Sequence, residues 1–516
     1  MGRRGRPGMA RKDKPGAQTS RWHKLSALRA KICFTAGLQN HSIGDHTVAD
    51  MKTSLTDEQL ADPAIAEADR ILNTCQHFGF CTAGCPTYVL LHDENDGPRG
   101  RIDLIKEMLE SQRAPTPRTV AHIDRCLSCM SCMTTCAVKV DYMHLVDTAR
   151  AHIEDNYRRP PGQRIARALL GRVLPRPALF RMALGLGRLV RPFSAALPPF
   201  LRSALRLIPE RRQAGLRQYR YPACGERKWR VALLAGCVQP VLSPHINDAT
   251  IRLLTRLGCE VVVPASAACC GSLNLHMGNR KQAREFAKAN VRAWIAEIDG
   301  EGLDAILVNA SGCGTTVKDY VHLLQDSDHA VAAARVSALA LDITEWLMRM
   351  NPPDPPAPRR HHVAYHDACS LRNAQKVTDP PRALLRKAGY LVQDIPEAHF
   401  CCGSAGTYNL LQPDLARQLG QRKAMNIAGL APQIIAAGNI GCITQIGQYS
   451  DAPIVHTVEL LDWAYGGQRP SALENITLEE LPAPTTAEDS ARGTQASAVV
   501  RLHKKTKPDG DDVGIW

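Results

Sequence analysis

Two rhythms of apolar residues divide the chain. Over residues 56–72, Leu60, Ile65, Ala68 and Leu72 recur at helical spacing. Ile102, Ile105, Met108 and Leu109 form the apolar face of a further predicted helix, with Arg101, Lys106 and Glu107 turned away from it. After residue 230 the pattern changes. Short apolar or β-branched runs at 231–234, 261–263, 305–308 and 434–436 alternate with long amphipathic stretches such as 280–298, which is the signature of α/β architecture.

This second half repeats itself. Cys237, Cys269, Cys270 and Cys313 recur as Cys369, Cys401, Cys402 and Cys442, at offsets of 132, 132, 132 and 129 residues. Each copy carries Cys-Cys-Gly at its middle (ending at Gly271 and Gly403) and Gly-Cys near its end. Two copies of one α/β module are expected, over 231–350 and 360–466, with the cysteines at strand ends where loops converge.

At 516 residues the chain exceeds what one core can serve. Residues 1–50 are basic, poor in acids and without periodicity. They read as a disordered extension or a non-native start ahead of Met51, and a transit-like presequence fits the same composition. Of the net charge of +14, the segment 157–230 alone supplies +16, from 18 Lys and Arg against Glu210 and Glu226. Repeated prolines should cut the bridge 151–230 into short helices. It lacks a nucleic-acid-binding pattern, so attraction to an acidic membrane surface or partner is the expectation, with a solvated linker as the plain alternative. Residues 467–516 turn polar and read as a disordered tail. No secretory signal and no apolar stretch long enough to span a bilayer is found.

The 18 cysteines sit mostly in tight clusters, which suits metal thiolates in a reducing compartment better than a disulfide framework. Cys126-x-x-Cys129-x-x-Cys132-x-x-x-Cys136 has the spacing that holds a cubane iron-sulfur cluster, with the fourth Cys crossing to a second cluster. The upstream run Cys75-x-x-Phe78-x-x-Cys81-x-x-x-Cys85-Pro86 keeps that frame but has Phe78 where a thiolate belongs. Cross-ligation assigns Cys85, Cys126, Cys129 and Cys132 to a complete site, and Cys75, Cys81 and Cys136 to an incomplete one. The latter is left as a three-iron cluster, a four-iron cluster with another ligand (His77 lies one residue off the required position), or an empty pocket. Zinc is the alternative for the whole unit. In the repeats, four thiols from three loops suit a metal or cluster, with His366 as a further candidate ligand. The alternative is tight turns around buried thiols. A fuller motif would end in C-x-x-C, where this chain has Thr316 and Gln445; Cys33, Cys224 and Cys259 match neither pattern.

The stretches 78–88, 96–102, 124–129, 401–408 and 439–442, with Ser311-Gly-Cys-Gly314, resemble the glycolate oxidase iron-sulfur subunit family over roughly 51–463. The resemblance implies an α + α/β fold, in which an alpha-helical ferredoxin domain with two [4Fe-4S] clusters (51–150) precedes two repeated cysteine-rich (CCG) domains. It also implies flavin-binding partner subunits that oxidise glycolate to glyoxylate, passage of electrons to quinone or another acceptor, and a peripheral position at the cytoplasmic face of the plasma membrane. Related lactate or glycerol-3-phosphate dehydrogenases, and heterodisulfide-reductase-like enzymes, share these modules. Phe78 and Ala137 depart from the family pattern, which has Cys and usually Pro there. No dinucleotide fingerprint and no nucleophile-base pair is present, so hydride chemistry is assigned to the partner.

Overall fold

The computed structural model describes residues 52–190 and 218–481. Cys33, the basic arm and residues 482–516 lie outside them.

The first unit is helical. The segment 56–72 forms two helices rather than one, because Asp62 caps a new start with Pro63 in its first turn; α1 is Pro63–Thr74. It packs with α2 (Pro98–Glu110) and α3 (Tyr142–Asn156) around Ile71, Leu72, Ile102, Ile105, Leu145 and Ile153. The predicted apolar face of α2 is the buried one. Arg101 is a correction: it points inward and is 1% exposed.

The basic bridge begins as a helical hairpin, α4 (Pro161–Val173) and α5 (Pro177–Val190). Much of its charge is spent internally, which the sequence reading did not anticipate. Arg159 pairs with Asp124 at 2.6 Å, and Arg220, Arg227 and Arg230 converge on Glu260. Leu170 anchors α4 on Met277 and Leu410.

Strands β1 (Arg220–Tyr221), β2 (Trp229–Leu233), β3 (Cys259–Val262), β4 (Ala305–Val308) and β5 (Ala340–Asp342) form one sheet in the order β1-β3-β2-β4-β5, parallel except for β1. Strands β6 (His362–His366), β7 (Leu391–Asp394), β8 (Ile434–Ala437) and β9 (Ile454–His456) form a second, wholly parallel sheet in the order β7-β6-β8-β9. The shared order of strands is the structural form of the sequence repeat. Alternate residues divide the work: Val231, Leu233, Val363 and Tyr365 face one core common to both sheets, whereas Ala232 and Leu234 face α7 (Arg280–Asp299).

The modules join reciprocally. Helix α6 (His245–Arg256) of module one packs on α11 (Thr457–Ala464), the last of module two; α9 (Asp379–Lys387) of module two packs on α8 (Ile343–Met350), the last of module one. Helix α10 (Pro413–Ala428) covers the outer face of the second module. Residues 467–481, placed in the disordered tail by their composition, instead dock on it. Leu473 is fully buried, and the Leu481 amide donates to the Arg360 carbonyl at 3.0 Å.

Candidate metal centres

Two cavities lie side by side in the helical unit, and Cys132, Pro98 and Tyr142 line both. The larger, an open cavity of about 480 Å³, is lined by Cys75, Cys81 and Cys136; the other, about 320 Å³, by Cys85, Cys126 and Cys129. Left-handed backbone at Ser128 and Met130 coils the 126–132 loop around the second cavity. Burial, with Cys75 and Cys136 close by, pushes the Cys81 thiol up to about 11. Burial drives Cys129 and Cys132 far above the ordinary thiol range, Cys369 and Cys85 adding to the first and Cys129, Cys126 and Cys85 to the second. Thiols so crowded and dry ionise only beside a compensating cation, which iron supplies. The donor sets therefore fit iron-sulfur clusters.

Arg101 is the residue that sequence reasoning turned the wrong way. Its Nη1 lies 3.9 Å from Cys85 Sγ, while Nε donates to the His122 carbonyl at 2.8 Å and Nη2 to Thr87 Oγ1 at 3.0 Å. Burial works against its charge, but Cys126, Tyr142, Cys85 and Asp96 more than offset this and raise its pKa. A fixed cation thus stands behind the complete thiol set. The signal for it was the 96–102 motif, which carried the family resemblance without a role for its arginine.

At the incomplete set, Phe78 is 59% exposed and its ring lies 6.3 Å from that of Phe80. His77 lines the same cavity, its Nε2 3.3 Å from Asp103 Oδ1.

Each α/β module gathers its four cysteines at the carboxyl ends of its parallel strands, where open α/β sheets place their sites. In the first, Cys237, Cys269, Cys270 and Cys313 form a hydrogen-bonded chain. Cys269 is held well below the usual thiol range by hydrogen bonds from Cys237, Cys270 and the Gly271 amide, which outweigh burial. In the second, Cys369 and Cys401 have Sγ atoms 3.8 Å apart, and Cys402 links Cys401 to Cys442. One ring nitrogen of His366 and the Sγ atoms of Cys402 and Cys442 lie within 4.8 Å of one another. Burial holds that imidazole neutral, its pKa lowered to about 3. Thr316 Oγ1 donates to the Gly312 carbonyl and Gln445 Nε2 to the Ala416 carbonyl, while Gln445 Oε1 accepts from Asn409 Nδ2. Cys259 on β3 faces Met350, and Cys224 is exposed; neither joins a thiol group.

The complete ferredoxin-type set and the second module meet directly. Leu127 and Cys129 share a buried cluster with Cys401 and Tyr408, and Asn373 Nδ2 donates to the Cys129 carbonyl at 2.9 Å. The first module meets the helical unit just past its Cys-Cys-Gly turn, where His276 lies 3.6 Å from Asp147 and lines a cavity with Cys126 and Ser128, and again at a histidine pair. His144 bridges Asp141 (2.7 Å) and Asp319 (3.0 Å) and stacks on His322, which pairs with Glu67 (2.7 Å).

Residues 48–140 match a family described as 4Fe-4S dicluster domain, and 231–318 and 363–447 each match a family described as cysteine-rich domain. The glycolate oxidase iron-sulfur subunit of Escherichia coli K12 is 42% identical over 418 residues, 80% of this chain and 99% of that one. The probable glycolate oxidase iron-sulfur subunit of Bacillus subtilis 168 is 31% identical over 77% and 94%. A lactate utilization protein A from Oceanobacillus iheyensis is 25% identical over 45% of this chain and 96% of its own. The cofactors are iron-sulfur clusters, as the thiol sets and the dicluster match both require, and the chain belongs to the family of glycolate oxidase iron-sulfur subunits.

Proposed function

We propose that this chain takes electrons from a flavin-binding partner subunit that oxidises glycolate to glyoxylate and passes them singly toward quinone or another acceptor. The observation that carries this reading is the contiguity of the thiol groups: Cys132 lines both cavities of the helical unit, and Cys129 adjoins Cys369 and Cys401. Clusters bound there supply one-electron redox chemistry. Cys85, Cys126, Cys129 and Cys132 hold a [4Fe-4S] cluster, and Arg101 balances its charge. Cys75, Cys81 and Cys136 hold a three-iron cluster, since Phe78 offers no ligand. Glycolate chemistry is assigned to the partner, since the sequence carries no dinucleotide-binding fingerprint. A lactate-oxidising partner is the second reading, favoured only by the more distant lactate utilization relatives.

The α4-α5 hairpin supports a peripheral membrane position. Ile165, Leu169, Met182, Leu186 and Leu189 are all exposed on it, and no acid occurs between residues 157 and 209. An apolar stripe flanked by arginines suits an anionic lipid surface. No helix among the described residues is long and apolar enough to cross a membrane.

Anaerobic purification with iron and sulfide analysis and electron paramagnetic resonance, before and after dithionite, tests the ligand scheme. The native chain should show an oxidised three-iron signal that Phe78→Cys replaces with a second reduced four-iron signal. A chain that carries zinc and no iron would refute the electron-transfer role.

A further inference from the structure

We infer that the cavity where the helical unit, α4 and both cysteine-rich modules meet is a binding site for the head group of a quinone, held by Tyr408, His276 and Arg167. The inference rests on the electron-transfer reading above and adds the place where the acceptor binds.

The open cavity has a volume of about 410 Å³. One wall is the loop 126–128 of the complete ferredoxin-type set, and Arg167, His276, Met277, Tyr408 and Leu411 supply the others. Gly278, at φ +84°, permits the close seating of the first module here, since an added Cβ would lie 2.3 Å from the Arg150 carbonyl oxygen. Hollows of this size at the junction of structural units are where small molecules bind, and this one adjoins the cluster loop.

Three polar atoms of the lining residues are unspent. The Tyr408 hydroxyl, Arg167 Nε and His276 Nδ1 are all buried without a hydrogen-bond partner, the last standing 3.6 Å from Asp147 Oδ1. An unpaired buried donor costs about 1–3 kcal/mol, which a ligand with acceptor oxygens offsets. The formal charges nearby already cancel. Arg150 lies 3.8 Å from Asp147, Arg159 2.6 Å from Asp124 and 3.3 Å from Glu154, and Arg167 3.7 Å and 3.9 Å from the same two acids. Three cations face three anions, so a carboxylate or phosphate would find no free countercharge. A neutral ring with two carbonyl oxygens suits unspent donors among balanced charges.

The apolar part of the lining leads toward the hairpin. Met277 and Leu411 continue into the cluster of Leu170, Leu174 and Leu410 that seats α4, and α4 also carries the exposed Ile165 and Leu169. An isoprenoid tail leaving the ring thus meets apolar side chains from the cavity to the surface proposed to lie on lipid. The chemistry balances without a further oxidant: glycolate loses two electrons and two protons in the partner, and a quinone takes up two of each to become the quinol.

The test is calorimetric titration of decylubiquinone into the full chain, purified anaerobically and left oxidised, so that binding is read without turnover. About one equivalent should bind. Tyr408→Phe should weaken binding about two- to tenfold. Leu411→Trp, which fills the cavity, should weaken it on the order of tenfold or more. The reduced four-iron resonance after dithionite must persist in each variant, which separates a lost site from a lost fold; Tyr408→Phe removes a single oxygen and keeps the test open if the larger change disturbs the loop. Absence of binding, binding indifferent to both substitutions, or displacement of the quinone by glycolate or inorganic phosphate would overturn the assignment. Glycolate-driven reduction of ferricyanide by the native assembled complex checks the underlying reading separately: if that proceeds while decylubiquinone does not bind, electron transfer stands and this site falls.

Discussion

The two cysteine-rich modules share strand order, thiol spacing and the left-handed Cys-Cys-Gly turn, yet their surroundings have diverged in opposite directions. Behind the first thiol group stands a neutral amide network in which Asn309 donates to Asn247 (2.9 Å) and Thr250 (2.8 Å), and Gln239 donates to Asn247 (2.7 Å). Behind the second stand His366, Lys423 and the Asp367-Arg382 pair, and the module touches the cysteine loop of the ferredoxin-type site. The first thiol group is set among neutral amides, the second among charged side chains and a buried imidazole.

Breaking that division is the most demanding test. In the assembled complex, Cys401→Ser is expected to slow glycolate-driven reduction of an added acceptor on the order of a hundredfold, and Cys269→Ser by no more than a few-fold. Equal losses, measured as steady-state rates, would erase the distinction. Scaffold strength gives the next largest effect. Trp294 is fully buried on α7 beside Tyr320, and Trp294→Ala should cost about 3–5 kcal/mol in denaturant unfolding while leaving the cluster spectra of the surviving folded protein unaltered. The turn common to both modules should respond alike. An added Cβ at Gly403 would lie 2.7 Å from the Ala416 carbonyl oxygen and at Gly271 2.9 Å from that of Ala283, both at φ near +90°. Each Gly→Ala change should cost about 2 kcal/mol or more by the same unfolding measurement.

The seams to the helical unit differ in kind and should separate with pH. Although burial opposes protonation, hydrogen bonds to Asp141 and Asp319 raise the His144 pKa to about 10, from an ordinary 6.5. A raised pKa means that the folded state holds the proton. This contribution is complete below about pH 6.5 and is lost as pH rises through about 10. The thermal midpoint of the native chain should fall over that window more steeply than that of His144→Gln. The smallest effect is at the other seam, which is apolar and hydrogen-bonded: Asn373→Ala should cost about 1 kcal/mol, nearly independent of pH across the same range.

How far the sequence reveals this molecule depends on the kind of interaction. The seven ferredoxin-type cysteines were legible as two spacing motifs, and the two cavities set Cys75, Cys81 and Cys136 apart from Cys85, Cys126 and Cys129, with Cys132 on both. Strands β2, β3, β4 and β8 were legible from the apolar runs 231–234, 261–263, 305–308 and 434–436. Strand β6 was not, since His362 and His366 interrupt it, and the two-residue β1 has no pattern to read. Helical periodicity sent Arg101 outward because it counts apolar positions and is blind to a buried acid such as Asp96, 3.4 Å away. The polar composition of residues 467–481 concealed Leu473 and Leu478, which pack on the shared core. His366 stood out only as a neighbour of Cys369; that its Nε2 is buried without a hydrogen bond is a fact of tertiary structure.

The reciprocal packing of α6 on α11 and α9 on α8 has a consequence for heredity. In a two-fold homodimer every substitution is made twice, so a residue that improves one site burdens the other equally. Here the same kind of interface joins two halves of one gene product, and a histidine can arise in one half, at 366, while leucine is kept at the matching position 234 in the other. The shared core then sets the limit on that freedom: the thiol ends of the modules can specialise separately, but Val231, Leu233, Val363 and Tyr365 must still be inherited as a matched set.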